Sequence, residues 1–292
     1  MTSSLSSQVI VMTGATGGIG QLAALDLAKR GAHLVLIARS QSKAAVTREM
    51  ISSVAPSARV DFHFADLASL ADVRRVGHAI SMQYGRIDVL INNAGLHAFK
   101  PRSTVDGFGE MMAVNYLAPW LLTNILRDRL VGAAPARVIT VASEASRRAG
   151  PFELTIDVFK NESFSRLGSS RIYGRTKLME IMFSLELARQ LEGTGVAVNC
   201  LDPGFNVTGL GRELSFAALL ERVLRWLKIG DPRRGAGIIV RLASDPKFAN
   251  ISGGYFSVQH AKSLEPVAPA NSLEARLELW RLTASVIATN SS

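Results

Sequence analysis

The segment Thr13-Gly14-Ala15-Thr16-Gly17-Gly18-Ile19-Gly20 stands between an apolar run and a stretch of helical periodicity. Gln8-Val9-Ile10-Val11-Met12 reads as a buried strand. Gln21 to Arg30, closed by Gly31, reads as a helix. Glycines at 14, 18 and 20 permit a tight turn and a close approach of bare backbone. The helix start beyond them offers free N–H groups and a positive dipole end to an anion. Strand, glycine turn and helix in this order form the pyrophosphate cradle of a dinucleotide site. Its predicted residues are Thr13, Gly14, Thr16, Gly17, Gly18, Ile19 and Gly20.

A second apolar run, His33 to Ala38, leads directly into Arg39-Ser40. The end of this strand selects between the two nicotinamide cofactors: a carboxylate binds the adenosine 2′-hydroxyl, whereas an Arg accommodates a 2′-phosphate. A guanidinium fits phosphate with forked donors. Arg39 and Ser40 therefore favour NADP (NADPH) over NAD.

Far along the chain, Tyr173-Gly174-Arg175-Thr176-Lys177 spaces a Tyr and a Lys by four residues on a predicted helix. One turn puts both side chains on the same face. An ammonium beside a phenol favours the phenolate, so the expectation is a Tyr173 pKa lowered from its ordinary value, fit for a general acid and base.

These landmarks together resemble the short-chain dehydrogenase/reductase family over almost the whole chain. The Thr-Gly-x-x-x-Gly-x-Gly form of the turn is characteristic of that family. Asp66-Leu67 after a third strand fall where the family holds the adenine ring. Asn92-Asn93-Ala94-Gly95 follow a fourth strand, Val89-Leu90-Ile91, and match the family's stabilising turn through Asn93, Ala94 and Gly95. Asn115 lies in a helix, Ser143 ends a fifth strand (137–142), and Asp202-Pro203-Gly204 end a sixth (196–201) and precede Thr208. The resemblance implies a tetrad of Asn115, Ser143, Tyr173 and Lys177. In it Tyr173 supplies the proton and Ser143 holds the reacting oxygen. Lys177 holds the nicotinamide ribose, and Asn115 positions a water that links Lys177 to solvent. Pro203 and Gly204 line the nicotinamide side, with Thr208 near the carboxamide or phosphates.

The long segment between Ser143 and Tyr173, Ala38-Arg39 and the Asn115 helix resemble the retinol-dehydrogenase-like branch. Two departures stand out. Gly17 occupies a position where many NADP-preferring members carry Lys or Arg. The chain also shows no N-terminal anchor of the kind many animal members of that branch carry.

The implied fold is α/β: a single-domain, Rossmann-type doubly wound parallel sheet with helices on both faces. Ligands on such a sheet bind beyond the C-terminal strand ends, where every landmark falls. No linker, repeat or low-complexity tract divides the 292 residues. No apolar run reaches the roughly 20 residues of a membrane span, and the N-terminus lacks a signal peptide's regions. The lone Cys200 cannot form an intrachain disulfide and reads as a small buried hydrophobe. Together these point to a cytoplasmic enzyme with no stable membrane anchor. A net charge of +9 invites a nucleic-acid partner. However, the basic residues are scattered, with only the pairs Arg74-Arg75, Arg147-Arg148 and Arg233-Arg234, and no aromatic array for stacking bases accompanies them. The excess can instead steer an anionic cofactor.

The specificity of the site is expected from two segments without family motifs, Glu144 to Gly168 and Phe205 to Gly230. The second is amphipathic and reads as a helix packed on the body, as a lid over a lipophilic or aromatic small-molecule substrate, or as a membrane-surface contact. A helix at about 272–287 reads as structural. The leading expectation is an NADPH-dependent carbonyl reductase, with a homo-oligomer allowed. The alternatives are NAD(P)-dependent oxidation of an alcohol, a non-catalytic NADP-binding regulator, and a lipid-surface protein.

Overall fold

The computed structural model describes residues 5–160, 163–165, 168–204 and 231–290. The expected lid at 205–230 and Thr208 lie outside the described residues.

The first half alternates strand and helix: β1 (Val9–Thr13), α1 (Gly18–Lys29), β2 (His33–Ala38), α2 (Gln41–Val54), β3 (Val60–Phe64), α3 (Leu70–Gln83) and β4 (Val89–Asn92). A helical run follows, made of α4 (Glu110–Met112), a π-helical turn (Ala113–Leu117) and α5 (Ala118–Val131). Beyond it come β5 (Ala136–Val141), α6 (Ser169–Gln190), β6 (Val196–Asp202), α7 (Pro232–Ser244), β7 (Gly254–Ser257) and α8 (Leu273–Thr289).

All seven strands are parallel, in the order β3-β2-β1-β4-β5-β6-β7. The order reverses between β1 and β4, which is where a ligand crevice opens in such a sheet. The strands are near-continuous apolar runs because both faces are covered. Successive residues serve opposite layers. Val11, Val35, Leu90, Val138 and Val198 pack under α3, α5, α6 and α8. Ile10, Met12, Leu34, Ile91 and Leu201 pack under α1, α2 and α7.

Side chains cap the structural helices. Ser40 accepts from Lys43 N at 3.4 Å, Ser69 from Asp72 N at 3.3 Å, and Asp231 from Arg233 N at 2.9 Å. α1 has no side-chain cap, so its first-turn N–H groups stay available to a ligand. The C-terminal helix α8 is structural, as its sequence suggests. Trp280 packs against Trp120 and stacks on Phe183, and Thr283 bonds the Tyr116 hydroxyl at 2.7 Å. Strand β7 was not legible beforehand; it is a four-residue edge element with only Tyr255 and Phe256 buried.

Candidate active site

The turn after β1 and the turn after β4 are stitched together. The Thr13 hydroxyl accepts from the backbone N–H of Asn93 at 3.1 Å and of Ala94 at 3.0 Å. The Asn93 side-chain amide donates back to the carbonyls of Thr13 and Gly14, both at 3.0 Å. This approach excludes side chains at two glycines. A Cβ on Gly20 would lie 2.3 Å from the Gly14 carbonyl, and one on Gly14 would lie 2.8 Å from Ala94 Cα. Gly14 also has φ +68°, in the left-handed region. Bare backbone, an uncapped helix start and the neighbouring Thr16 and Ile19 thus form a cradle that fits a pyrophosphate.

Along the same edge, Arg39 is exposed at the end of β2, and no described residue pairs with its guanidinium. Ser40 caps α2 beside it, and Lys43 stands exposed in the first turn. Lys43 had not been singled out in the sequence. Asp66 closes its own turn, its carboxylate accepting from Ala68 N at 3.0 Å, and Leu67 packs partly buried beside it.

The Ser143 turn and the helix of Tyr173 meet at a glycine, Gly174. Ser143 ends the loop from β5 and caps a 3-10 turn, Glu144–Arg148. Its Oγ accepts from Ala145 N at 3.1 Å, leaving its own proton free to donate outward. Ser143 is partly exposed, whereas the neighbouring Ser146 is buried. Gly174 seats α6 against this turn with no side chain between, so the helix that carries Tyr173 and Lys177 packs directly on the turn that Ser143 caps. Gly204, with φ +72°, turns the chain at the end of β6. Its N–H donates to Asp202 at 3.1 Å, and Asp202 also accepts from Glu144 N at 3.0 Å. Pro203 and Gly204 are thereby tied to the Ser143 turn.

Three features depart from the sequence reading. The Tyr173 pKa is raised, not lowered. Burial disfavours the phenolate more than the Lys177 charge favours it, and the negative charges of Glu180 and Asp202 add to the rise. Lys177 Nζ lies 5.7 Å from the Tyr173 ring centre. Its hydrogen bonds go instead to the Val141 carbonyl at 2.9 Å and to both Glu180 oxygens at 2.9 and 3.1 Å. The Asn115 side chain is likewise engaged. Its Oδ1 accepts from Leu96 N at 2.8 Å, while its amide donates to Leu96 O at 3.0 Å and Thr176 Oγ1 at 2.9 Å. A water at this point would have to be held by other groups. The π-turn that contains Asn115 is a helix irregularity often found at functional sites. Gly95 makes room here, since a Cβ on it would sit 3.3 Å from Lys177 Nζ.

His97 was also missed. Its ring stacks on Tyr173 with centres 4.7 Å apart and packs against Phe99 at 4.8 Å, and its Nε2 lies 3.1 Å from Ser169 Oγ. The only available signal was its position just after the Asn-Ala-Gly turn.

The short chain dehydrogenase family model matches residues 8–154. Mouse retinol dehydrogenase 13 is 33% identical over 285 residues, covering 96% of this chain and 84% of that protein. The chain belongs to the short-chain dehydrogenase/reductase family, in its retinol-dehydrogenase-like branch. A crystal structure of a Mycobacterium paratuberculosis protein shares the fold with a TM-score of 0.76 at 24% identity, covering 98% of this chain and 96% of that one. Another, described as an NAD(P)-dependent gluconate 5-dehydrogenase of Beutenbergia cavernae with bound NADP, has a TM-score of 0.67 at 27% identity. It covers 87% of this chain and 96% of that one. This short-chain dehydrogenase/reductase is thus an oxidoreductase. Among the described residues, no helix is long and apolar enough to cross a membrane, and no cluster of side chains could hold a metal ion.

Proposed function

We propose that this short-chain dehydrogenase/reductase uses NADPH to reduce a ketone or aldehyde of a lipophilic or aromatic small molecule to the alcohol. The observation that carries the reading is the seating of α6 on the Ser143 turn through Gly174, which sets the helix bearing Tyr173 and Lys177 directly against the turn that Ser143 caps. The bound cofactor supplies the hydride. Tyr173 donates its phenolic proton to the substrate oxygen as negative charge develops there, and the Ser143 hydroxyl donates to the same oxygen. The buried Lys177 charge favours the phenolate that results. The raised pKa keeps Tyr173 in its acid form at neutral pH, which suits reduction.

The preference for NADPH rests on exposed Arg39 and Lys43 flanking the start of α2. The NADP bound to the Beutenbergia relative supports it. The aromatic wall of Phe99, His97 and Tyr173 suits a flat or apolar substrate. The lone thiol Cys200, buried in β6, suits a reducing cytoplasm. The name of mouse retinol dehydrogenase 13 favours a second reading, oxidation of an alcohol by the same groups run backwards.

Turnover of a carbonyl and alcohol panel with both cofactors tests these readings, with Tyr173→Phe beside the wild type. The variant keeps the ring but lacks the proton. Its turnover should fall about 10²–10⁴-fold while NADPH binding stays near normal. Wild-type turnover in Tyr173→Phe would remove Tyr173 from the chemistry.

A further inference from the structure

Glu180 lies one turn beyond Lys177 on the core-facing side of α6, 1% exposed, amid the buried Met179, Ile181, Met182 and Phe183. A carboxylate in such a place carries a desolvation cost that an apolar side chain would not, and a buried ion pair rarely recovers it as stability. Its carboxylate nevertheless makes two hydrogen bonds to Lys177 Nζ, at 2.9 and 3.1 Å. A lysine ammonium has three donors. Here Val141 O and the two Glu180 oxygens engage all three. Lys177 therefore has no donor left for a ribose hydroxyl until one of these bonds is exchanged.

Val141 O belongs to the end of β5 and is fixed by the sheet, so the exchangeable partner is the side chain. We propose that Glu180 is a positioning residue that holds Lys177 in the cofactor-free protein and competes with the nicotinamide ribose hydroxyls for its ammonium. The inference rests on the reading of Tyr173 and Lys177 as the catalytic pair.

The surroundings favour this exchange. Burial pushes the Glu180 carboxyl up to about 7 even with Lys177 beside it. The carboxylate can thus take a proton near neutral pH when the ammonium leaves it. Burial works against the Lys177 charge too, but Glu180 and Tyr173 outweigh it and hold the amine above its ordinary value. The titratable groups that sense one another here are Lys177 and Tyr173 on α6 and Cys200 and Asp202 on β6. Ser184 donates to the Glu180 backbone carbonyl, and its side chain also bonds with the Cys200 thiol. The Glu180 charge also raises the Tyr173 pKa, so loss of that charge should ease formation of the phenolate.

Glu180→Gln keeps the shape and removes the charge. NADPH and NADH affinities are measured by titration, and alcohol oxidation is followed against pH, in wild type, Glu180→Gln, Glu180→Asp and Tyr173→Phe. Freed donors on Lys177 should tighten cofactor binding in Glu180→Gln, by about threefold to tenfold for an exchange worth roughly one hydrogen bond. The rising limb of its oxidation profile should move to lower pH. Glu180→Asp, which restores the charge, should return that limb toward the wild type. Unchanged or weaker cofactor binding in Glu180→Gln, or a superimposable pH profile, overturns the proposal. Should Glu180→Gln not fold, calorimetry of NADH binding to the wild type in buffers of different ionisation enthalpy decides the matter. Proton uptake near neutral pH supports the exchange, and its absence refutes it. Full turnover in Tyr173→Phe would refute the catalytic pair instead, while the binding measurements still report on Glu180.

Discussion

The Cα of Gly174 faces the carbonyl of Ala145 so closely that a Cβ on it would lie 2.5 Å from the oxygen. The next atoms in the way are Ala149 N at 3.0 Å and Arg148 C at 3.1 Å. All three belong to the backbone, so no side chain can swing aside. The helix that carries Tyr173 and Lys177 thus meets the turn that carries Ser143 with nothing between them. Helix and turn are held this close by the absence of one methyl group.

Gly174→Ala should accordingly push α6 away from the Ser143 turn. Overpacking of this kind costs about 1–3 kcal/mol, readable by denaturant unfolding. Turnover should fall further than stability suggests, because misplacing a catalytic group by an ångström can cost about 10²-fold. The pyrophosphate cradle is built by the turns after β1 and β4 and not by this joint, so cofactor binding should change less than turnover. A variant that loses stability yet keeps wild-type turnover would separate the docking from the chemistry.

How much of this was legible beforehand follows from what leaves a trace in side-chain patterning. The glycine turn and the strands β1, β2, β4, β5 and β6 were readable because strands buried on both faces are continuous apolar runs. β2 has the ends read from the sequence, and those of the other four differ by one residue. β7 escaped because Gly254-Tyr255-Phe256-Ser257 offers just two apolar residues at a sheet edge. The π-turn at Ala113–Leu117 leaves no mark, since a changed backbone bond does not alter which residues are apolar. Tyr173 and Lys177 were readable by spacing, but the net direction of the Tyr173 shift was not. It depends on how deeply the phenol is buried and on Glu180, and an acid three residues from a lysine reads as an ordinary surface pair.

Burial raises the pKa of all four tyrosines, Tyr84, Tyr116, Tyr173 and Tyr255. Each folded phenol holds its proton more tightly than it does in the unfolded chain. The stability this confers is complete below pH 10 and is lost as pH rises through and beyond that value. Ultraviolet titration of the cofactor-free protein should therefore show no tyrosinate band until above pH 10, and the band should emerge together with unfolding. The difference spectrum between wild type and Tyr173→Phe isolates the catalytic candidate. A tyrosinate appearing in that difference below pH 9, in the cofactor-free protein, would restore the simpler expectation that Lys177 alone sets the Tyr173 pKa.

Arg39 is the residue on which the cofactor preference turns. It stands exposed where β2 ends, beside the Ser40 cap of α2, and no described residue pairs with it. A guanidinium that already had a carboxylate partner would gain less from a phosphate, so its exposure favours strong discrimination. A charge-assisted contact is worth about 1.5–3 kcal/mol, or roughly tenfold to a hundredfold in affinity. NADPH should bind more tightly than NADH by that factor. The margin should shrink as salt rises, because the contact is exposed and screened. Arg39→Asp should reverse the order, since a carboxylate repels the 2′-phosphate and accepts from the 2′-hydroxyl. Lys43→Ala should narrow the gap without reversing it. Fluorescence titrations with both cofactors at two salt concentrations measure all of these effects. Equal wild-type affinity for NADPH and NADH would show that Arg39 does not read the phosphate, and Gly17, which lacks a basic side chain at the cradle, would then explain the lost preference.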